Sequence, residues 1–218
     1  LIGSRINYAT SQGWVEDPVP FQAATGYYGG NFGRNGSTAE NKIEWGLNPW
    51  GAQALIWKSI NDTASNDDGG WGKNIANLPS SDVGYLSVVY VKRVGTATTN
   101  LGNFYHGCSG SHTLNLSGTA NTNPYFLAIG AGNLPIDQWC VSIGLIQANT
   151  DTSTATASTD ISGLYRLDTG EKIVNATRFK MKAASTTQTH RTYLYYGTDV
   201  NCNLEYYKIK YTLMTYIM

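Results

Sequence analysis

The fold class follows from one stretch in the second half of the chain, Gln138-Trp139-Cys140-Val141-Ser142-Ile143-Gly144-Leu145-Ile146. Large apolar residues alternate there with the small or polar residues Cys140, Ser142 and Gly144. A repeat of two residues is that of a β-strand with one buried face, whereas a helix repeats its apolar residues every three to four positions. We therefore predict a strand whose apolar side chains face the core and whose small and polar residues face outward.

The same alternation recurs along most of the chain. It is clear at 204–213 and at 177–182, where Phe179 and Met181 alternate with Lys180. Further candidate strands are 54–60, 85–93, 103–107, 112–116, 125–129, 161–167 and 191–197. Turns rich in Gly, Asn and Asp separate them, and no segment keeps helical spacing for three turns. Many short strands of this kind indicate an all-β fold, either a barrel or an antiparallel, jelly-roll-like β-sandwich.

Two regions depart from the strand pattern. Residues 22–41 are rich in Gly, Asn and Ala, so we predict that 1–40 form a loop-rich N-terminal segment and 41–218 the β-sandwich. Residues 150–160 are polar and of low complexity, which is typical of a hairpin tip or of a variable contact loop. The sequence contains neither an internal repeat nor a convincing linker, and we therefore predict a single domain.

Composition excludes several classes of protein. The 15 Lys and Arg residues balance the 15 Asp and Glu residues, so the basic footprint of a nucleic-acid binder is missing. No stretch approaches the roughly 18 apolar residues of a membrane helix, and we expect no membrane insertion. Aromatic residues make up 12% of the chain and hydrophobic residues 41%, which argues against disorder. What remains is a rigid, uncharged surface suited to aromatic and amide contacts.

The sequence offers little support for a metal or a disulfide. Cys108, Cys140 and Cys202 lie far apart without metal-ligand spacing, and we expect buried, free thiols. The run from Asn61 to Gly69 supplies oxygen ligands that could hold a structural Ca²⁺, but it fails the EF-hand pattern. Turns rich in Asp and Asn also form without metal, by capping their own backbone. We therefore predict no cofactor and keep Ca²⁺ as an alternative.

Catalytic signatures are weak. Glycoside hydrolysis needs two converging carboxylates, and no strand carries such a pair two residues apart. A lyase would need a base beside a cation, such as His190 with Arg191, or His106 with Tyr105. Each histidine is more often a structural hydrogen-bonding group than a base. A protein without catalytic activity is favoured, with a polysaccharide depolymerase as the alternative.

Aromatic residues with polar neighbours are the stronger signal. Trp and Tyr rings can cover the flat C–H faces of sugars, while neighbouring polar groups orient the hydroxyls. Trp71 follows residues 66–70, which we interpret as a turn, so we expect its indole to be exposed, whereas Trp57 and Trp139 are predicted to be in the core. The predicted carbohydrate-binding residues are Trp71, Asp67, Asp68, Tyr105, His106, His190, Arg191 and Tyr193.

Several strings also carry a resemblance to a known group of proteins. They are Asn48-Pro49-Trp50-Gly51, Ala54-Leu55-Ile56-Trp57-Lys58, Asp67-Asp68-Gly69-Gly70-Trp71, Val88-Val89-Tyr90-Val91-Lys92-Arg93, Tyr105-His106-Gly107-Cys108, Asn121-Thr122-Asn123-Pro124-Tyr125-Phe126 and residues 187–196. Over residues 41–200 the chain resembles the concanavalin-like (laminin-G-like) β-sandwich at the C-terminal end of bacteriophage tail fibres. Similar domains occur in some large bacterial surface proteins.

The resemblance implies a receptor-binding domain at the distal end of a virion tail fibre. Such a domain would bind a bacterial surface glycan, either capsule or lipopolysaccharide, and would work as a homotrimer with the other fibre protomers. The apolar C-terminal residues Leu213-Met214 and Tyr216-Ile217-Met218 suit either a subunit interface or a last strand. A capsule depolymerase and a structural trimerisation cap are the alternative functions.

Overall fold

The computed structural model describes residues 32–75, 78, 80–153 and 161–214. Within these residues the regular structure consists of strands and one 3₁₀ turn at Ala131–Asn133. The strands are β1 (Phe32–Arg34), β2 (Asn41–Leu47), β3 (Gln53–Ile60), β4 (Asp67–Ile75), β5 (Gly84–Val94), β6 (Asn103–Gly107), β7 (Thr113–Asn115), β8 (Tyr125–Gly130), β9 (Trp139–Gln147), β10 (Gly163–Arg166), β11 (Lys172–Asn175), β12 (Phe179–Met181), β13 (Gln188–Tyr195) and β14 (Asn203–Met214). No helix in these residues is long and apolar enough to cross a membrane.

The strands form two sheets. The smaller sheet has the order β1-β4-β13-β6-β8, and all of its pairings are antiparallel. The larger sheet has the order β11-β10-β9-β5-β14-β3-β2, and the short strands β7 and β12 extend it beside β9. Its pairings are antiparallel apart from that of β12 with β9. The predicted all-β antiparallel sandwich is therefore confirmed.

The core lies between the two sheets and is rich in aromatic rings. Trp57, Phe104 and Tyr206 are fully enclosed, and the Trp57 indole N–H donates to Asn41 Oδ1 at 3.0 Å. Phe126 fills the space over Gly144, where an added Cβ would lie 2.2 Å from the phenylalanine ring. The prediction of a buried Trp57 is thus confirmed.

The orientation predicted for the 138–146 stretch is wrong. Cys140 and Ser142 are fully buried, as is Ile146 further along β9, whereas Val141 and Ile143 are partly exposed on the outer face of the larger sheet. Trp139 lies on the same outer face, with the Lys92 ammonium 5.0 Å from its ring, so it is not a core residue. The reason is that the interior accepts polar groups, since Ser142 is hydrogen-bonded there by a histidine of the opposite sheet.

The predicted turn at residues 66–70 is largely a strand. β4 begins at Asp67 and lies between β1 and β13. Gly69 and Gly70 belong to it, with φ angles of 99° and 102°. A Cβ at Gly70 would lie 2.2 Å from the carbonyl oxygen of Thr192, so the glycines permit close backbone approach rather than a reversal of the chain.

Some of the sequence-based expectations fall on residues outside those described. They concern residues 1–31 of the N-terminal segment, 154–160 of the polar loop and the C-terminal Tyr216–Met218. Within the predicted N-terminal segment, β1 is described and pairs with β4. The short strand β11 and the edge strand β2 are further elements that the alternation analysis missed.

Candidate functional site

Four tyrosines and one arginine share the outer face of the smaller sheet. Successive side chains of a strand point to opposite faces, so the outward residues of β13 are Arg191, Tyr193 and Tyr195. Tyr105 of β6 lies directly opposite Tyr193, and Tyr125 of β8 lies opposite the next outward position of β6. We call these five residues the tyrosine face.

The rings of the tyrosine face contact one another. The ring centroids of Tyr105 and Tyr125 are 4.8 Å apart, those of Tyr105 and Tyr195 5.5 Å, and those of Tyr193 and Tyr195 5.7 Å. Tyr196 extends the row, with its ring 5.3 Å from that of Tyr195 and half of its surface exposed. Along β13 the face spans about 13 Å from Arg191 to Tyr195. The result is a continuous aromatic surface held by ring contacts.

Glycines on the neighbouring strands make room for these side chains. Gly107 of β6 and Gly72 of β4 lie directly opposite Arg191, one on each side. A Cβ at Gly107 would lie 2.6 Å from the Tyr125 ring, and one at Gly72 would lie 3.3 Å from the Tyr193 hydroxyl. A side chain at Gly107 would therefore displace the Tyr125 ring, and one at Gly72 would crowd the Tyr193 hydroxyl.

Polar groups anchor both ends of the tyrosine face. At one end the Tyr195 hydroxyl donates to Asn35 Oδ1 at 3.0 Å, and the Asp67 carboxylate acts on the same hydroxyl electrostatically. At the other end the Arg191 guanidinium acts electrostatically on the Tyr125 hydroxyl. The tyrosine face is thus positioned at its two ends as well as by its rings.

A cleft adjoins the arginine end. Its volume is about 430 Å³, and it is lined by Arg191 and by two loops, Ser109-Gly110-Ser111 and Ala120-Asn121-Thr122-Asn123. The Asn121 side-chain oxygen accepts the backbone N–H of Asn123 at 2.9 Å, which shapes the second loop. Apart from Arg191, the lining residues are uncharged, and the cleft therefore offers hydroxyl, amide and backbone groups.

Burial keeps three tyrosines of this face, Tyr125, Tyr193 and Tyr195, neutral. It raises the pKa of Tyr193 to about 12, and it also raises the pKa values of Tyr125 and Tyr195. At neutral pH these phenols are therefore hydrogen-bonding groups and apolar rings, not charges. Among the described residues of the face and its ends, the formal charges are the Arg191 guanidinium and the Asp67 carboxylate.

The structure brings together half of the predicted site residues. Tyr105, Arg191 and Tyr193 belong to the tyrosine face, and Asp67 lies at its end beside Tyr195. The other four, Trp71, Asp68, His106 and His190, are fully buried. The expectation of an exposed Trp71 is wrong, because β4 is an interior strand of its sheet and its indole stacks on the His190 ring at 4.8 Å.

The two buried histidines belong to a hydrogen-bonded chain that links the sheets. Ser87 Oγ of β5 lies 3.0 Å from His106 Nε2 and 2.7 Å from His190 Nδ1. The chain continues from His106 Nδ1 to Ser142 Oγ at 2.6 Å, and from His190 Nε2 to Thr192 Oγ1 at 2.8 Å. Each neutral imidazole can donate once and accept once in such a chain. We call these five residues the interior polar chain.

Burial lowers the pKa of His106 to about 3 and that of His190 well below its ordinary value. Both rings are therefore neutral at physiological pH and enclosed away from solvent. His190 and Arg191 point to opposite faces of β13, as do Tyr105 and His106 on β6. The base-and-cation pairs considered for a lyase are therefore separated by their own strands.

Asp68, in the run considered for calcium, is occupied by hydrogen bonds from the backbone. Its two oxygens accept the backbone N–H groups of Gly197 at 2.8 Å and of Asp62 at 3.4 Å, and burial raises its pKa to about 7. The Asp62 carboxylate in turn accepts the backbone N–H of Ala64 at 2.6 Å. Within the described residues no group of three or more His, Cys, Asp or Glu side chains could hold a metal ion.

The three cysteines are free and buried, as predicted. Burial raises the pKa of Cys108 to about 12 and the pKa values of Cys140 and Cys202 to about 11. These thiols are therefore protonated at neutral pH, and they act as small apolar groups of the core.

Tyr125, Tyr195 and Asn35 were missed by the sequence analysis. Alternation along β13 was the available signal, because Arg191, Tyr193 and Tyr195 are two residues apart and must share a face. No sequence pattern indicates that Asn35 contacts Tyr195, because that contact depends on the pairing of β1 with β4. Strand periodicity could have identified the row but not its partners on other strands.

No protein-family model matches this chain, and no curated protein matches it in sequence. Among solved structures, the CBM22-1 xylan-binding domain of Paenibacillus barcinonensis Xyn10C is 8% identical, with a TM-score of 0.42 over 84% of this chain and 85% of that one. A CBM4 structure is 9% identical, with a TM-score of 0.44 over 93% and 98%. An exo-β-agarase is 10% identical, with a TM-score of 0.47 over 92% of this chain and 24% of the agarase. TM-scores below 0.5 carry no conclusion about what this chain binds.

Proposed function

We propose that the chain binds carbohydrate through the tyrosine face and does not act on it chemically. The observation that carries this proposal is the row of contacting, partly exposed tyrosine rings on one sheet, next to a cleft of uncharged polar groups. Such rings cover the apolar faces of sugars at low conformational cost. Hydroxyl and amide groups of the cleft would orient the sugar hydroxyls.

The binding surface would be shallow, because its rings lie along a sheet instead of lining an enclosed pocket. A shallow surface of this kind gives weak affinity for each copy, and several copies on one particle would raise the overall affinity through effective concentration. The extent of the tyrosine face, about 13 Å along β13, suits a chain of sugars better than a single one.

The test is a glycan array probed with the wild-type chain and with Tyr193→Ala and Tyr105→Ala. We expect the wild type to bind one class of glycan, and each variant to lose at least about tenfold in affinity, which corresponds to about 1.4 kcal/mol. Tyr165→Ala is the matched control, because Tyr165 is a partly exposed tyrosine of the larger sheet and faces away from the sandwich interior. An array without any bound glycan, or full binding by both variants, would contradict the proposal.

A depolymerase remains the enzymatic alternative, and a direct assay separates it from binding. The burial of the histidines argues against a depolymerase, since neither His106 nor His190 can reach a polysaccharide from the interior. We expect that incubation of capsular polysaccharide with the purified chain leaves the polymer length unchanged by size-exclusion chromatography. Shortened polymer, or released unsaturated sugars, would favour the enzyme.

We further propose that the domain forms the distal end of a bacteriophage tail fibre and attaches the virion to a capsule or lipopolysaccharide on the host. The support is the resemblance of residues 41–200 to tail-fibre sandwiches. The expected result is binding of the fluorescent domain to some bacterial strains, with loss of binding after enzymatic removal of the capsule or after competition by purified lipopolysaccharide. Uniform absence of binding across host strains would reject this placement.

A homotrimer, or a structural cap of a fibre, is the second candidate, and exposed apolar residues favour it. Trp45 and Leu47 of the edge strand β2 are 56% and 53% exposed, and the neighbouring Trp50 is 63% exposed. Edge strands with such side chains invite association with another chain. Light scattering should give three times the chain mass if the domain trimerises by itself, and Trp45→Lys should lower that mass. A monomeric wild type would reject self-association of this domain.

A further inference from the structure

Arg191 is the one cationic residue among the five residues that define the tyrosine face. The outward positions beside it on both neighbouring strands are glycines, Gly72 and Gly107, so no side chain covers it from those strands. It also lines the adjoining cleft, together with loops that carry serine, threonine and asparagine. The guanidinium therefore lies where the aromatic surface meets the cleft.

No carboxylate of the described part of the chain forms an ion pair with Arg191. The described charges elsewhere are often neutralised, as Lys92 is by Glu205 at 2.7 Å and Arg166 by Asp168 at 2.6 Å. The groups that Arg191 influences are neutral, namely Tyr125, Tyr193 and Cys108. Among the described residues, Arg191 thus has neutral neighbours and no carboxylate partner.

Guanidinium chemistry indicates what would complete the arrangement. The group has five N–H donors in a planar fork that fits the two oxygens of a carboxylate or a sulfate. The Tyr125 hydroxyl is one of the groups on which Arg191 acts electrostatically, but a single phenol oxygen cannot supply the two parallel acceptors of a bidentate pair. The cleft contains no acidic residue that would repel an anion.

We propose that the tyrosine face selects acidic glycans, in which a carboxylate or sulfate of one sugar pairs with Arg191 while neighbouring sugar rings lie on the tyrosines. This inference rests on the proposed carbohydrate binding. It assigns Arg191 as the specificity residue and the tyrosine rings as the contact surface. A uronate, a sialic acid and a sulfate ester share the chemistry that the guanidinium recognises, so the experiment includes each of them.

The test uses an array of matched acidic and neutral glycans. The pairs are oligogalacturonate with its methyl ester, sialyllactose with lactose, and a sulfated galactan with its desulfated form. We expect the wild-type chain to bind the acidic member of at least one pair about tenfold more tightly than the neutral member, with a preference that weakens as salt is added. The pair that responds identifies the acidic group.

Variants separate charge from fold. Arg191→Gln should abolish the preference for the acidic member, and Arg191→Lys should keep part of it, because the ammonium lacks the fork. Arg166→Gln on the larger sheet is the matched control and should keep the full preference. Equal binding of acidic and neutral members by the wild type, or a preference that survives in Arg191→Gln, would overturn this inference and leave the proposed carbohydrate binding standing. An array without any bound glycan would overturn both.

Discussion

The two faces of β13 carry equally polar side chains but have different surroundings. On the inner face, His190 and Thr192 belong to the interior polar chain and are sealed beneath aromatic rings. On the outer face, Arg191, Tyr193 and Tyr195 border the solvent beside a cleft. Residues that are adjacent in sequence therefore have different roles. The inner face holds the two sheets together, and the outer face is available to a ligand. The comparison predicts that substitutions will affect stability or binding, but seldom both.

The largest effect on stability is expected at Gly70, because both faces of the sheet depend on the close approach of β4 to β13 at this residue. Gly70→Ala would place a Cβ 2.2 Å from the Thr192 carbonyl oxygen at a φ of 102°, pushing β4 away from β13. We expect a loss of at least about 4 kcal/mol in the free energy of unfolding, measured by urea denaturation. Gly51→Ala is the control, because its φ is 78° and its Cβ would meet nothing within 4 Å. That variant should lose only about 1 kcal/mol, and equal losses would disprove the close-approach argument.

Ser87→Ala tests the inner face alone. It removes the hydroxyl shared by His106 and His190 and leaves one ring nitrogen of each buried without that partner. Unpaired buried polar groups are costly, and we expect a loss of about 2–4 kcal/mol in the free energy of unfolding. Any glycan binding of the folded variant should be unchanged. Ser117→Ala, at an exposed serine, should cost less than about 0.5 kcal/mol.

Lowering the pH should progressively lower the free energy of unfolding, through the buried histidines of the inner face. Between about pH 6 and pH 4 the unfolded chain protonates His106 and His190, whereas the folded chain does not, because their folded pKa values are about 3 and well below the ordinary 6.5. Asp68 acts in the opposite direction, since its folded pKa of about 7 keeps a proton that the unfolded chain releases. For these three groups taken together, the unfolded chain binds one more proton than the folded chain.

The free energy of unfolding should therefore fall by about 1.4 kcal/mol for each unit that the pH decreases in this range. Asp68→Asn removes the opposing proton and should double the slope to about 2.7 kcal/mol per unit. Urea denaturation at a series of pH values measures both slopes. A flat profile for the wild type would mean that the histidines are not held neutral in the folded chain.

The smallest effect is expected on the outer face. Tyr195→Phe removes the hydroxyl that donates to Asn35 but keeps the ring that contacts Tyr105 and Tyr193. We expect a loss of about 1 kcal/mol or less in the free energy of unfolding and no loss of glycan affinity. A large loss of stability would place this hydroxyl among the groups that hold the fold together, and the contrast between the two faces would then fail.

Alternation was sufficient to predict most strands but not which face of each strand is buried. In β9, the apolar side was assigned to the core, yet Ser142 is buried because His106 of the other sheet supplies its partner. That partner lies 36 positions away in the chain, and local sequence contains no record of it. Which face of a strand is buried depends on the residues that the opposite sheet packs against it. The sequence of one strand does not identify those residues.

The candidate site was predicted in part for the same reason. The cluster from His190 to Tyr193 was treated as one unit, although a strand directs its members alternately inward and outward. Arg191 and Tyr193 were consequently placed together correctly, and His190 was placed with them wrongly. The prediction of an exposed Trp71 was wrong for another reason. Gly69 and Gly70 are typical of a turn in sequence, but in the structure they allow close approach of neighbouring backbone.

The burial of all three thiols has a practical consequence for observing this protein in solution. Thiolates attack electrophilic reagents such as maleimides, and the raised pKa values and enclosure of Cys108, Cys140 and Cys202 protect these thiols. A cysteine introduced at the exposed Thr122 would therefore be the one thiol that a maleimide dye labels in the folded chain. An environment-sensitive dye there would lie at the edge of the cleft, and its fluorescence would report occupancy directly.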